Sequence, residues 1–389
     1  MTPPAAEKLF TARFFTMWVF SFTVFLSVFQ LLPTAPFHIK DLGGSTLQAG
    51  LFLGLLTFSS AMFAPLTGAI GDRIGQRTIL LVSSAAIACI TLAYAFMQSV
   101  PSILALVFVQ GFFWSGMLSA SSAYMLSIIP VARRAEGLGY AGMASIFALA
   151  LAPTIGFAIY RRGWFPLAMT CIALNVLMFL IATMLGGGRP AGPHPPLTLR
   201  SLIEPRIMLV AGTLFLYSFG YGGITSFAAL YADAAGVTPR SIYLTTLAIA
   251  ILLARPTLGR LGDRYGYKRV FVPCLGLVAA GLGIMALTPG RTGMIVSALT
   301  FGVGFGLAYP AFAAYVMQHV DDSRRGAAFG TMIAAFDTGI GSGSTTMGWL
   351  IQRSGYSAAF GLAAVLAACA VPYFLAVDRR LAASGSDKP

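Results

Sequence analysis

The chain of 389 residues is 57% hydrophobic and 10% charged, with a formal net charge of +13 and four cysteines. An ordinary soluble domain is roughly 25% charged, so a soluble protein of this size would not cover its surface. With a mean hydropathy of +0.82, a disordered chain, a disulfide-stapled secreted scaffold and a conventional soluble enzyme are excluded. A polytopic helical membrane protein remains.

The basic residues lie singly or in pairs between apolar stretches. That is a topology pattern rather than a nucleic-acid surface, so no nucleic-acid partner is expected. Cys89, Cys171, Cys274 and Cys369 each sit in an apolar run, with no CxxC pair or zinc spacing. With His38, His194 and His319 as the whole histidine complement, no metal site is expected.

A helix needs ~20 mostly apolar residues to cross the bilayer's hydrocarbon core. Twelve stretches qualify: 14–36, 46–70, 78–98, 102–128, 136–160, 165–186, 207–232, 241–260, 269–288, 294–318, 327–350 and 358–377. The first is too long and too aromatic for a cleaved signal, and no small-residue cleavage site follows it, so it is expected to stay in the mature chain. The second and third are joined by a loop bearing Gly68, Asp72, Arg73, Gly75 and Arg77. After the sixth comes GGGRPAGPHPPLTLRSLIEPR, Gly186 to Arg206, whose glycines and prolines prevent an intact crossing helix. It divides the chain into six spans at 1–188, a linker at 189–206 and six spans at 207–389. The eighth span carries Arg255-Pro256, and the eleventh carries Asp337 in Phe-Asp-Thr-Gly-Ile-Gly-Ser-Gly-Ser.

With the N-terminus in the cytoplasm, 18 Lys and Arg fall on the inner side and 6 on the outer side, while Arg255 lies within a span. The positive-inside rule thus predicts both termini in the cytoplasm of an inner membrane. The halves also repeat at an offset of 191 to 192 residues. Asp41 and Gly44 match Asp233 and Gly236; Gly68, Asp72, Arg73, Gly75 and Arg77 match Gly259, Asp263, Arg264, Gly266 and Lys268; Gly156, Arg161 and Gly163 match Gly348, Arg353 and Gly355. Six spans per half is an even number, so the repeats run parallel through the bilayer.

The paired loops Gly68-Ala-Ile-Gly-Asp72-Arg73-Ile-Gly75-Gln-Arg77 and Gly259-Arg-Leu-Gly-Asp263-Arg264-Tyr-Gly266-Tyr-Lys268 resemble the loop signature of the major facilitator superfamily. The resemblance covers the whole chain. It implies an all-α membrane fold of twelve helices in two pseudo-symmetric six-helix bundles, a gating role for both loops, and a cavity walled by spans 1, 4, 7 and 10. Read from the residues alone, the glycines allow tight reversal and close helix approach. Asp72 is placed to accept bonds from N–H groups at a helix start. The cavity residues implied are Phe22 and Phe25, Gln110 and Trp114, Tyr217 and Tyr221, and Phe305 and Tyr309. Such a wall suits amphipathic organic molecules. Gly139, Ala148, Ala152, Pro153 and Gly156 resemble the span-five motif of the family's exporters, with alanine for glycine twice and Phe157 in place of the final glycine. Proton-coupled members often carry an arginine three residues before Gln-Gly in span four; here that position is Val107.

Two ionisable residues lie well inside spans. A charge at mid-membrane costs ~2.5–3.5 kcal/mol on insertion scales. Asp337, removed from water, is expected to bind a proton or substrate. Arg255 has three readings: a pair with Asp337, an anion site, or a side chain snorkelling to the headgroups. The expected function is proton-driven efflux of small amphipathic molecules by alternating access. Import or facilitated entry of a small nutrient or organic anion is the alternative. No enzyme motif and no GxxxxGK[ST] loop is present. No cofactor beyond a proton gradient is expected, and the partners foreseen are a small-molecule substrate and lipid, with the protein a monomer.

Overall fold

A computed structural model describes residues 9–130, 133–186, 205–258, 261–318, 320 and 325–385. The expected linker, up to residue 204, lies outside the described residues, as do Gly259, Arg260, Arg324 and the side chains of Arg206, Pro256, Asp263 and Arg325. All regular structure among the described residues is helical: α1 (Ala12–Asp41), α2 (Thr46–Ile74), α3 (Gln76–Phe96), α4 (Val100–Ile128), α5 (Arg134–Tyr160), α6 (Trp164–Met184), α7 (Pro205–Ala234), α8 (Ile242–Leu258), the short α9 (Leu261–Tyr265), α10 (Tyr267–Leu287), α11 (Arg291–Met317) and α12 (Arg325–Gly385).

Ten of these stretches are long and apolar enough to cross a membrane, and Ile242–Arg255 is a shorter apolar helix. The 61-residue α12 is bent at Gly355, with φ at +81°. Its arms, 325–354 and 356–385, correspond to the last two predicted spans. Polar caps start several helices. Thr11 Oγ1 accepts from the Phe14 N–H at 3.2 Å. Ser45 and Gln48 form a reciprocal capping box at the start of α2.

The repeat is visible in the backbone. Positive φ occurs at Gly43 and Gly236 (+80° and +66°), one residue out of the register that aligns Gly44 with Gly236, at Gly75 and Gly266 (+91° and +90°), and at Gly163 and Gly355 (+109° and +81°). Only glycine enters this region without a Cβ penalty, so each of these reversals in the first half has its counterpart in the second. Gly75 and Gly266 mark one end of the molecule, here the Gly75 face; the other pairs mark the opposite Gly43 face.

Packing repeats as well. The pairs α1–α5, α2–α4 and α3–α4 in the first bundle correspond to α7–α12, α8–α11 and α10–α11 in the second. Glycines bring these backbones together, as they must where lipid gives helices no hydrophobic reason to associate. A Cβ on Gly222 would overlap the Ile340 carbonyl, and one on Gly343 the Phe219 carbonyl. Both contacts lie within the second bundle, so Gly222→Ala is expected to cost about 1–3 kcal/mol of overpacking. A lower thermal midpoint in detergent is the readout, and an unchanged midpoint would contradict the close approach.

The bundles meet through α2 with the first arm of α12 and through α5 with α8, which are equivalent pairs under the repeat. Among the described residues, the hydrogen bonds crossing between bundles lie from the level of Asp337 to the Gly43 face. Ser60 Oγ donates to Asp337 (3.1 Å), Ser344 Oγ to the Gly50 carbonyl (2.7 Å), and the Leu47 N–H to Gln352 Oε1 (3.4 Å). Thr154 reaches Ser241 and Thr245 at 3.1 and 3.0 Å. The apolar core divides accordingly. Residues 28–39 of α1 join a cluster that is continuous with the second bundle, whereas Phe14, Met17, Phe20 and Val24 belong to a separate first-bundle cluster with Ile79, Met117 and Ile181. The bundles are therefore sealed at the Gly43 face.

Candidate functional site

Asp337 lies near the middle of the first arm of α12, on a stripe that faces α2. Gly341, Ser344 and Gly348 follow it at helical spacing and meet Thr57, Gly50 and Thr46. A neighbouring stripe, Gly339 and Gly343, meets Ser218, Phe215 and Phe219 of α7. The alternating glycines of Gly-Ile-Gly-Ser-Gly thus let α12 touch two helices of different bundles at once. Asp337 accepts a hydrogen bond from Ser60 Oγ, whose residue is 2% exposed. No cation lies within 4.0 Å of the carboxylate among the described residues. Tyr309 is within electrostatic reach of it.

Arg255 is not paired with Asp337. Its Nε donates to the Gly306 carbonyl of α11 at 3.3 Å. Its Nη1 lies 3.5 Å from where a Cβ on Gly142 of α5 would stand, so the guanidinium borders both bundles. A helical side chain leans toward its helix N-terminus, which for α8 is the Gly43 face. The guanidinium is thereby carried toward mid-depth, away from the headgroups of the Gly75 face. Two of the three sequence readings, the ion pair and the snorkel, are not the arrangement found.

Four predicted wall residues come together in the second bundle. Tyr221 stacks on Phe305 at 4.4 Å, Tyr217 lies 5.4 Å from Phe305, and Tyr309 is 5.4 Å from Phe336. Phe336 also lies 5.9 Å from Tyr217, and Phe301 stacks on Phe305 at 5.3 Å. Sequence reasoning missed Phe336, Phe301 and Ser60. Phe336 precedes Asp337, and Ser60 continues the α2 stripe of Thr46, Gly50 and Thr57, a small-residue periodicity that was legible. In the first bundle, Phe25 meets Trp114 edge-on at 5.9 Å and Phe22 stacks on Trp18 at 5.7 Å. Gln110 is 3% exposed and accepts from the Tyr94 hydroxyl at 2.7 Å. It lines a small pocket with Ser27, Thr91 and Asn175 inside the first bundle, rather than the space between bundles.

Gly75 makes the tight reversal expected of the loop glycines, while other loop residues are placed differently. Among the described residues, Asp72 accepts from Gln76 Nε2 at 3.1 Å and from no helix-start N–H. Gly68 is open, with nothing near a Cβ position, and so makes no close approach. Arg77 donates to the Thr183 carbonyl of α6 at 2.8 Å. For Arg73 and Gly75 the backbone reversal at Gly75 is the main structural fact. In the second copy, Arg264 lies over the Tyr265 ring at 5.3 Å, and Lys268 and Tyr315 both bind Asp378, tying α10 and α11 to the second arm of α12. The Asp263 side chain lies outside the described residues. Among the described residues, no three His, Cys, Asp or Glu gather as a metal site.

The sequence profile of the Major Facilitator Superfamily matches residues 17–249 and 210–388. An uncharacterized MFS-type transporter, YhhS of Escherichia coli (strain K12), is 25% identical over 386 residues, covering 94% of each chain. An uncharacterized MFS-type transporter of Burkholderia mallei (strain SAVP1) is 26% identical over 379 residues, covering 95% of this chain and 92% of that one. Among solved structures, a point mutant of the nucleoside transporter NupG superposes with a TM-score of 0.76 at 14% identity, over 94% of this chain and 99% of that one. The human organic anion transporter MFSD10 (TETRAN) does so with a TM-score of 0.69 at 16% identity, over 93% and 98%. At these identities the structural likenesses concern the fold.

Proposed function

The chain belongs to the Major Facilitator Superfamily and is a multi-pass membrane transporter, and on that premise we propose that it exports small amphipathic organic molecules in exchange for protons by alternating access. Bundles 1–188 and 207–389, joined by linker 189–206, rock against each other as a monomer in a bacterial inner membrane. The Lys and Arg bias puts the Gly75 face and both termini in the cytoplasm. The seal at the Gly43 face then corresponds to a carrier closed to the outside. The aromatic cluster of Tyr217, Tyr221, Phe305 and Tyr309 offers an apolar surface with hydroxyl groups, suited to amphipathic ligands.

The observation that carries the proton reading is the Ser60–Asp337 hydrogen bond, which joins the two bundles at mid-depth. A bond to a carboxylate is charge-assisted and about twice as strong as a neutral one. Ionised Asp337 therefore holds the outside seal, and a carrier that has released its proton waits for substrate instead of returning empty. Protonation weakens the bond and frees α2 from α12. The loops at Gly68–Arg77 and around Asp263 and Arg264 act at the Gly75 face, which closes when the Gly43 face opens.

The test is flux in everted vesicles acidified inside, using a panel of fluorescent aromatic probes. Exchange predicts that a transported probe accumulates in the lumen while protons leave it, and that a protonophore abolishes the accumulation. A probe that moves in the same direction as the proton would establish symport and overturn the proposal.

A further inference from the structure

We propose that Arg255 and Tyr217 form the head-group site for an organic anion, so that the substrate is an aromatic or otherwise apolar molecule bearing a carboxylate or a similar acid. The inference deepens the transporter reading by naming the substrate class, and it rests on that reading only for the ligand being moved after it binds.

Arg255 supplies the charge. Its guanidinium is inside the membrane span, has no carboxylate within 4.0 Å among the described residues, and uses Nε on the Gly306 carbonyl. A guanidinium always carries its proton and presents a planar fork of donors that fits a carboxylate. An unneutralised cation at this depth is costly unless an anion arrives to pair with it.

Tyr217 gives an independent sign. The residue is 0% exposed, yet among the described residues its hydroxyl has no hydrogen-bond partner. Buried polar groups usually find a partner; of the seven side-chain atoms that do not among the described residues, this one belongs to the ring packed on Phe305. Phe305 immediately precedes the Gly306 whose carbonyl accepts from Arg255, and Tyr309 packs on the same Phe336 as Tyr217. Its ring packs on Phe305 and Phe336 at 5.4 and 5.9 Å, and Phe305 is stacked on Tyr221. One end of the site thus offers a guanidinium and a free hydroxyl, and the other offers aromatic faces. An acid on an aromatic body satisfies both ends; a cation suits the rings but is repelled by the guanidinium, and a neutral sugar leaves that charge unpaired. Because Nη1 also borders Gly142 of α5, an anion held there sits where the two bundles adjoin.

The experiment is equilibrium binding to the purified full-length protein in detergent, followed by thermal stabilisation and tryptophan fluorescence. The probes are 2-naphthoate, the neutral isostere 2-naphthamide and the cation 2-naphthylmethylamine. Naphthoate is expected to bind and the other two to bind far more weakly. Arg255→Gln is expected to weaken naphthoate binding by roughly ten- to a hundredfold, the range for hydrogen bonds to a charged group. Arg255→Lys should recover part of the loss, and Tyr217→Phe should weaken binding by a few-fold while leaving the fold intact. Equal binding of naphthamide, unchanged naphthoate binding in Arg255→Gln, or no naphthoate binding at millimolar concentration overturns the proposal. No gradient is present in this assay. A protein that binds naphthoate through Arg255 but carries it in the same direction as the proton therefore keeps this inference and loses the exchange mechanism.

Discussion

Asp337→Asn is expected to reduce pH-gradient-driven flux to the level of protein-free liposomes while leaving a folded protein. Asparagine has nearly the same shape and keeps an oxygen that accepts from Ser60 Oγ, now 3.1 Å from the carboxylate. It cannot bind and release a proton. Removing an ionisable side chain from mid-membrane also relieves an insertion cost of ~2.5–3.5 kcal/mol, so the thermal midpoint should hold or rise. Loss of flux with a retained midpoint separates a coupling role from a structural one. Full gradient-driven transport by the variant would end the assignment. Ser60→Ala should act more mildly. A hydrogen bond to a charged group is worth ~1.5–3 kcal/mol, and its loss would bias the bundles away from the seal at the Gly43 face without removing the proton site. An anion leaving as a proton enters moves two charges down the usual inside-negative potential, each worth ~2.3 kcal/mol per 100 mV. An anionic substrate and proton exchange therefore fit one direction of transport, outward.

Gly50→Val is the second large effect, and it falls on conformation rather than folding. A Cβ at Gly50 would overlap the Ser344 carbonyl oxygen and stand 3.0 Å from the Phe227 ring. Gly50 is on α2 and Ser344 on α12, so the clash is relieved by parting the bundles. Each bundle keeps its own packing. Overpacking costs about 1–3 kcal/mol, enough to shift a two-state equilibrium about five- to 150-fold. The expected result is faster thiol labelling of Ser344→Cys, at a residue 0% exposed in the sealed arrangement, in a background without the four native cysteines. Labelling as slow as in the Gly50 parent, with an unchanged midpoint, would mean the seal does not depend on this approach. Gly222→Ala makes the contrast, because its clash lies within one bundle and has no rigid-body escape.

Some of the site was legible before the fold was known. Asp337 and Arg255 stood out because ionised groups are rare in apolar spans, and the second-bundle aromatics Tyr217, Tyr221, Phe305 and Tyr309 do converge. Gln110 did not follow the pattern, since Tyr94 offers it a hydroxyl on the inner side of α4. Asp72 takes its donor, among the described residues, from the Gln76 side chain and not from a helix end. Both outcomes turn on which side of a helix a polar group faces. Composition is silent on that.

The amino-acid order by itself determined the apolar spans, the parallel repeat and the glycine reversals. Each is a local requirement: enough apolar length to cross hydrocarbon, every backbone polar group satisfied within its own helix, and a positive φ where the chain turns. Only the tertiary structure decided which helix faces meet, and so left Arg255 without Asp337, set Ser60 against Asp337 and brought Phe336 into the aromatic cluster. The reason is that lipid and protein interior are equally apolar. An apolar stripe therefore does not say which way a membrane helix turns, and the choice passes to small residues and to the backbones that their absence of bulk lets approach.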